Sequence, residues 1–168
     1  VTHTDPAVAT EYIRDIDYNE KGQRAKIIYG NDIITRNTYD KKTFRLIRLE
    51  SRRQNNELLQ DLYYTYDPVG NITHIEDKTI PVVFFDNQKI TGISEYRYDA
   101  RYQLVSATGR ENNAALSSGS QDNWNDTAFM RSHNSGDPMA MRNYQQQYSY
   151  DAAGNITQMR QVAVGNSW

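Results

Sequence analysis

"YDPVGNIT" at residues 66–73 returns as "YDAAGNIT" at residues 150–157, so the chain repeats one short phrase almost unchanged. The match continues beyond the quoted letters without a gap. It pairs Tyr64, Tyr66, Asp67, Gly70, Asn71, Ile72 and Thr73 with Tyr148, Tyr150, Asp151, Gly154, Asn155, Ile156 and Thr157. Repetition inside one chain is typical of proteins built from a recurring supersecondary unit.

Three looser copies of the phrase are also present. They retain Tyr96, Tyr98 and Asp99 in "YRYDARYQLVSA" (96–107), Tyr39 and Asp40 in "TYDKKTFRLIRL" (38–49), and Tyr18 and Gly22 in "DYNEKGQRAKI" (17–27). In the first of these, Tyr102-Gln103-Leu104 replaces Gly-Asn-Ile. The second holds one extra turn residue, and the third has Asn19 in place of Asp. The uneven spacing of the copies indicates connections of variable length.

The phrase predicts a β-hairpin. Tyr64 and Tyr66 are two residues apart, so both rings lie on one face of a strand. Asp67 can accept hydrogen bonds from turn amides, Pro68 presets φ, and Gly70 can take the positive φ that ends a type I turn with a G1 bulge. The following letters "NITHI" have strand propensity.

Further strands are predicted in "RAKIIYG" (24–30), "DIITRNTY" (32–39), "FRLIRLESRR" (44–53) and "PVVFFDNQ" (81–88), with "GND" (30–32) as another hairpin turn. In residues 44–53, Phe44 and Leu46 would lie on one face of a regular strand, whereas Ile47 and Leu49 would lie on the other. Either both faces are partly covered, or a bulge shifts the register. The fold class is therefore all-β, made of antiparallel hairpins.

Residues 112–143 break this rhythm, since they are rich in Ser, Asn, Gly and Asp. We expect an irregular inserted loop there, with a short helix near "NDTAFMRS" (125–132) that Asn125 or Asp126 would cap. Residues 1–14 predict an entering strand or a short helix. The whole chain, 1–168, is otherwise predicted to be a single segment of repeats.

Composition excludes several classes of protein. The absence of Cys excludes a disulfide framework, the usual zinc clusters and a thiol nucleophile. A net charge of -2, with Lys and Arg scattered, argues against a nucleic-acid partner. No apolar run approaches the ~20 residues of a membrane helix. We expect no signal peptide in "VTHTDPAVATEY", and we expect the chain to be a piece of a longer protein.

No catalytic, cofactor-binding or metal-binding residue is predicted. His3, His74 and His133 lack the spacing of a metal site. His133 follows Ser132 and precedes Asp137, but triad members meet in space rather than in sequence, and the setting is a polar loop. "DIDYNEKG" (15–22) fails as a calcium loop, because Glu20 and Lys26 stand where Gly and Glu are required.

Three longer stretches resemble the YD-repeat, or Rhs, family, and most strongly the B and C components of bacterial insecticidal toxin complexes. They are "NEKGQRAKIIYGNDIITRNTYD" (19–40), "LQDLYYTYDPVGNITHIED" (59–77) and "YRYDARYQLVSATGRE" (96–111). The resemblance implies a strip of a larger, spiralling β-shell that encloses a toxic C-terminal polypeptide. "SGDPMAM" (135–141) lacks the Gly that follows Asp-Pro in the family's self-cleaving members, so self-cleavage is not implied.

The resemblance also implies partners and a location. The partners would be neighbouring shell strands of the same or a partner subunit, the enclosed toxin, and a translocation-channel subunit, in a secreted or cell-surface complex. Neither nucleic acid, membrane insertion nor a cofactor is implied. The motif residues would then be structural, with Tyr packing on a strand face and Asp satisfying turn amides.

A different function is a YD-repeat module for cell-surface adhesion or carbohydrate binding, which would present exposed aromatic rings. An enzyme is opposed by the lack of a converging His, Cys or carboxylate constellation.

Overall fold

The computed structural model describes residues 11–85, 87–112 and 140–163, and these are all-β, with no helix among them. The predicted fold class is thereby confirmed. The chain forms two compact units, Val1–Tyr63 and Tyr64–Trp168. None of the described residues belongs to a helix that could cross a membrane.

The first unit is an antiparallel meander in which each strand pairs with the next. Its strands are β1 (Ile13–Tyr18), β2 (Arg24–Tyr29), β3 (Ile34–Tyr39), β4 (Leu46–Arg52) and the first part of β5 (Leu58–Tyr66). The connections between these strands are four to six residues long, which is short, as is usual for neighbouring strands. The turn predicted at "GND" joins β2 to β3, with Asp32 donating its N–H to the Tyr29 carbonyl at 3.0 Å.

The second unit contains the end of β5 and seven further strands. They are β6 (Ile72–Asp77), β7 (Val83–Phe85), β8 (Gln88–Ile90), β9 (Ile93–Tyr98), β10 (Leu104–Asn112), β11 (Met141–Tyr150) and β12 (Ile156–Ala163). The antiparallel order is β6-β9-β10-β11-β12, and β7 and β8 form a separate two-stranded sheet.

The single strand predicted at residues 81–88 is wrong. The structure has a hairpin there, because Asn87 adopts a positive φ of 60° and reverses the chain between β7 and β8. Asn is one of the few residues that take this conformation at low cost. The hairpin packs near β11, where Asn143 Nδ2 donates to the Lys89 carbonyl at 3.1 Å.

The apolar core is thin. Among the described residues, the hydrophobic side chains that are almost fully buried are Ile27, Val83, Ile90 and Ala107. Thr35 and Asp61 are equally buried although they are polar. Backbone ladders and side-chain hydrogen bonds therefore supply much of the cohesion of these units.

Both ends of the loop predicted at 112–143 belong to paired strands. Strand β10 runs to Asn112 and β11 begins at Met141, and these two residues are partners in the ladder. Residues 113–139, with the helix predicted at 125–132, lie outside the described residues, as do residues 1–10.

Candidate functional site: the YD turns and the faces beside them

The turn after β5 shows how the repeated phrase folds. Asp67 donates its N–H to the Asn71 carbonyl at 2.9 Å, and Gly70 donates its N–H to the Asp67 carbonyl at 3.2 Å. Gly70 has a φ of 117°. The Asp67 carboxylate accepts the Gly70 N–H at 2.7 Å and the Asn71 N–H at 2.8 Å on one oxygen, Oδ1. This is the tight turn with a glycine at its end that the sequence predicts.

The Asn of the phrase adds a side-chain hydrogen bond within the turn. Asn71 Nδ2 donates to Asp67 Oδ2 at 2.8 Å. The second close copy repeats the contact, with Asn155 Nδ2 donating to Asp151 Oδ2 at 2.9 Å. The Asn155 side-chain hydrogen bond, followed by its backbone N–H, holds the pKa of Asp151 below its ordinary value.

The Asp67 carboxylate behaves similarly. Partial desolvation tends to raise its pKa, but the hydrogen bonds from the Asn71 side chain and from the Gly70 and Asn71 backbone outweigh this and lower it. Both turns therefore keep an ionised carboxylate as the acceptor of their amides.

The looser copies form the same turn with different residues. Asn19 Oδ1 accepts the N–H groups of Lys21 and Gln23 at 2.9 and 3.0 Å. Asp99 Oδ1 accepts those of Arg101 and Gln103 at 2.8 and 2.9 Å. The acceptor oxygen at the first turn position is thus common to these copies, whether it belongs to a carboxylate or to an amide.

The turn after β3 is longer by one residue. Asp40 donates its N–H to the Arg45 carbonyl at 2.8 Å, and Phe44 donates its N–H to the Asp40 carbonyl at 2.9 Å. The additional residue lets Thr43 bond Asp40 Oδ1 through both its N–H, at 2.6 Å, and its hydroxyl, at 2.8 Å. Phe44 lies in this turn and not in a strand, so the strand predicted to start at residue 44 begins at Leu46.

Every copy closes with a residue of positive φ, and two of these residues are aromatic. The φ values are 73° at Gly22, 58° at Phe44, 117° at Gly70, 63° at Tyr102 and 93° at Gly154. A bulky residue with positive φ is a genuine conformational outlier. Sequence reasoning placed Tyr102 at the glycine position but did not identify Phe44 there.

A β-bulge follows each of four turns and explains the mixed parity of "FRLIRLE". Thr38 pairs with Arg48 and Tyr39 with Leu46, which leaves Ile47 as the extra residue. Ala25, Val105 and Thr157 occupy the same place after their own turns. Of the two alternatives left open by the sequence, the shifted register is present, and it bends the returning strand.

In three copies, the Tyr that precedes Asp in the phrase links its hairpin to the preceding one. Its hydroxyl donates to the carbonyl of the residue that begins the returning strand of that hairpin. The contacts are Tyr39 to Arg24 at 3.0 Å, Tyr98 to Ile72 at 2.9 Å and Tyr150 to Leu104 at 2.7 Å. The sequence predicted a packing role for Tyr, and this recurring hydrogen bond was not foreseen.

Another motif tyrosine, Tyr148, lies on a polar face of the second unit. Tyr148 donates its hydroxyl to Gln146 Oε1 at 2.8 Å, and Gln146 Nε2 donates to Gln161 Oε1 at 2.9 Å. Gln161 in turn donates to the Glu111 carboxylate, which also accepts Arg142 Nε at 2.9 Å. A chain of hydrogen bonds thus crosses β10, β11 and β12.

The ring of Tyr144 lies over Gly109, where the absence of a Cβ leaves room for it. A Cβ added at Gly109, its cross-strand partner, would lie 2.7 Å from the Tyr144 hydroxyl oxygen and 2.9 Å from Cζ. Burial raises the pKa of the Tyr144 hydroxyl, and burial likewise raises the pKa of Tyr64 and Tyr98. These phenols therefore remain neutral at physiological pH.

One face of the first unit carries a ladder of charges. Asp17, Lys26, Arg36, Glu50 and Asp61 are successive cross-strand partners from β1 to β5. Lys26 Nζ lies 2.7 Å from Asp17 Oδ2. The Arg52 side-chain hydrogen bond holds the pKa of Glu50 below its ordinary value.

Arg48 anchors the buried end of this ladder. Its Nε and Nη2 donate to the two carboxylate oxygens of Asp61 at 2.6 and 3.0 Å. Asp61 is only 5% exposed. The hydrogen bond to Asp61 raises the pKa of Arg48. Opposite charges on this face therefore pair with each other across strands and within a strand.

The described residues contain no group of His, Cys, Asp and Glu that could hold a metal ion. His74 lies in β6 opposite Glu95. His3 and His133 lie outside the part of the chain that the structure describes. In the stretch that resembles a calcium loop, Asp17 is paired with Lys26.

No family model matches the chain. Two curated relatives do, both from Yersinia entomophaga. Toxin subunit YenC2 is 38% identical over 156 residues, and toxin subunit YenC1 is 36% identical over 163 residues. Each alignment covers at least 90% of this chain but 16% of the relative, so the chain spans about one sixth of their length.

Solved structures agree with these relatives. The crystal structure of TcdB2-TccC3-Cdc42 matches with a TM-score of 0.69 and 36% identity, over 90% of this chain and 7% of that chain. The Tc holotoxin pore of Photorhabdus luminescens matches with a TM-score of 0.67 and 34% identity, over the same shares. By its repeated turns, its relatives and its structural neighbours, this chain belongs to the YD-repeat (Rhs) family, in the group of insecticidal toxin-complex components.

Proposed function

We propose that this chain is a wall segment of a hollow β-shell that encloses a toxic polypeptide of the complex. Its role is structural and not enzymatic. The observation that carries the proposal is the tyrosine link between successive hairpins, because it joins hairpins into a continuous wall without needing a deep core. The whole protein's partners would be further shell strands, the enclosed polypeptide and a channel subunit of a secreted complex.

The end strands support a wall that continues. Within the described residues, β1 pairs with β2 alone and β12 pairs with β11 alone. Strand β12 also exposes Ile156, Met159 and Val162. Open edges with apolar side chains are unfavourable in an isolated protein, because they invite pairing with other strands. Further strands of a longer chain would cover them.

The faces of the sheet support a wall that does not bind its contents tightly. Most charged and polar groups of the charge ladder and of the polar chain at Glu111 and Tyr148 have partners within the sheet, although Nη2 of Arg142 is buried without one. A polypeptide lying against such a surface gains little, because its polar groups would compete with existing partners. Contents could then be held by confinement and still be released.

The experiment is protease protection of the full-length parent toxin subunit. A protease that cannot enter the shell should leave the enclosed polypeptide intact. The double variant Tyr98→Phe/Tyr150→Phe, which removes two hairpin links, should expose it to cleavage several-fold faster, whereas Tyr39→Phe should have a smaller effect. Encapsulation would be contradicted if the polypeptide in the unmodified parent were digested as rapidly as in the double variant.

A module for adhesion or carbohydrate binding is favoured by one observation, the exposed ring of Tyr102, which is 60% accessible. Aromatic rings at such positions can stack on sugars. Glycan-array binding that is saturable and lost in Tyr102→Ala would favour this function over the wall.

A further inference from the structure

A cavity of about 510 Å³ lies between the turn after β1 and the turn after β3, within the first unit. Its volume falls in the range of small-molecule sites. Three aromatic rings line it, from Tyr18, Tyr39 and Phe44. The charged residues of its lining are Glu20, Lys21, Asp40 and Lys41. We refer to it as the Phe44 cavity.

Phe44 is held in an unfavourable conformation at this cavity. Its φ is 58°, at a turn position where three other copies have Gly22, Gly70 or Gly154 and a fourth has Tyr102. Phe44 is nevertheless 45% exposed as a residue, so burial in a core does not explain the aromatic ring. Gln23 fixes the turn by donating its side-chain N–H to the Phe44 carbonyl at 2.7 Å. Strained residues of this kind are concentrated at binding sites.

An ammonium group already occupies the face of the ring. Lys21 Nζ lies 4.7 Å from the centroid of Phe44, which is the geometry of a cation–π contact. Lys21 is borne on an exposed turn, and its long side chain can leave the ring. The ammonium group of Lys21 therefore lies where an external alkylammonium ion would bind.

The charge that remains after Lys21 leaves favours a cation. The lining then holds the carboxylates of Glu20 and Asp40 against the single ammonium of Lys41. Asp40 stays ionised, because the backbone and side-chain hydrogen bonds of Thr43 lower its pKa. A positively charged ligand of modest size thus meets an aromatic wall and a lining with two carboxylates and one ammonium, while the ammonium of Lys42 acts on Asp40 from outside the lining.

We propose that the Phe44 cavity binds an alkylammonium group in place of Lys21. The shared chemistry fits either a quaternary ammonium such as choline or the side chain of a lysine in a polypeptide. The inference depends on the first unit alone and is independent of the proposed shell.

The test is NMR titration of the 168-residue chain at constant ionic strength, following the ring protons of Phe44 and Tyr18. The probes are choline chloride, its neutral isostere 3,3-dimethylbutan-1-ol, and N-acetyl-lysine methylamide. We expect choline to shift these rings and the neutral alcohol to shift them far less. The lysine probe decides which source of ammonium the cavity prefers.

Two matched variants test the exchange with Lys21. Lys21→Met should bind choline about threefold to fivefold more tightly than the unmodified chain, the change expected when a competing cation–π contact of ordinary strength is removed. Lys41→Met removes the same charge from the same cavity but leaves Lys21 over the Phe44 ring. The increase in choline affinity should therefore be smaller than in Lys21→Met. Equal gains in both variants would overturn the proposal.

Phe44→Gly separates binding from folding. Glycine suits the positive φ, so the melting temperature should hold or rise, while choline binding should be lost. Choline binding that survives in Phe44→Gly, or equal shifts with choline and its neutral isostere, would show that the cavity is no ammonium site.

Discussion

The tyrosine links can be tested by deleting one hydroxyl. In Tyr98→Phe the ring stays, but the hydrogen bond of 2.9 Å to the Ile72 carbonyl is lost. A net contribution of about 1 kcal/mol is usual for such a bond. We therefore expect unfolding to become easier by about 1 kcal/mol, equivalent to a melting temperature lower by about 2–4 °C in a domain of this size.

Tyr39→Phe is the matched control. Its hydroxyl donates to Arg24 at 3.0 Å, but the same carbonyl also accepts Asn37 Nδ2 at 2.8 Å. The carbonyl therefore keeps a donor, and we expect a loss of about 0.5 kcal/mol or less.

Urea unfolding followed by circular dichroism measures both variants. Hydrogen exchange of peptides covering β6 and β2 assigns each effect to its own unit. Faster exchange in β6 should accompany Tyr98→Phe. The reasoning is refuted if Tyr98→Phe is as stable as the unmodified chain, or if Tyr39→Phe loses as much stability as Tyr98→Phe does.

Three further changes probe other features. Gly109→Ala should destabilise the second unit by about 1–3 kcal/mol, because its methyl group would collide with the Tyr144 ring; in a Tyr144→Leu background the same change should cost much less, which thermal melts of both pairs will show. Arg48→Met should cost about 2 kcal/mol in urea unfolding, since it leaves the Asp61 carboxylate buried without its bidentate partner, and a near-neutral result would contradict the importance of this pair. The turn carboxylates have lowered pKa values in the folded state, so their stabilisation is complete above the unfolded pKa near 4 and is lost as pH falls through the folded-state values. Melting temperatures should therefore stay level from about pH 7 to 5 and fall below about pH 4, whereas a fall between pH 7 and 5 would point to other groups.

Local chemistry explains why the hairpins could be predicted from the sequence. The order Tyr-Asp-x-x-Gly-Asn places an acceptor, a reversing residue and a locking amide within one turn, and each acts on its immediate neighbours. The same logic identified the extra residue after Asp40. It failed at Phe44 and Asn87, where non-glycine residues take positive φ and the letters alone suggest a strand.

The contacts between hairpins could not be predicted in the same way. The charge ladder depends on which residues of five strands stand opposite one another, and each bulge changes that register by one residue. Tyr98 and Ile72 are 26 residues apart, and nothing local in either residue signals their hydrogen bond. The two close copies nevertheless contain one relevant signal. Both have Tyr and not Phe directly before Asp, which indicates that the hydroxyl has a role beyond the packing of the ring.

The direction of the tyrosine links bears on how the chain is made. In all three observed cases the donor comes later in the sequence than the acceptor, as with Tyr150 and Leu104. A chain that emerges from the ribosome thus presents the acceptor carbonyl first, and each new hairpin finds its attachment point already formed. These three links therefore allow vectorial growth of the structure, because a chain that has just completed the hairpin of Tyr39, Tyr98 or Tyr150 already contains the acceptor carbonyl of that tyrosine.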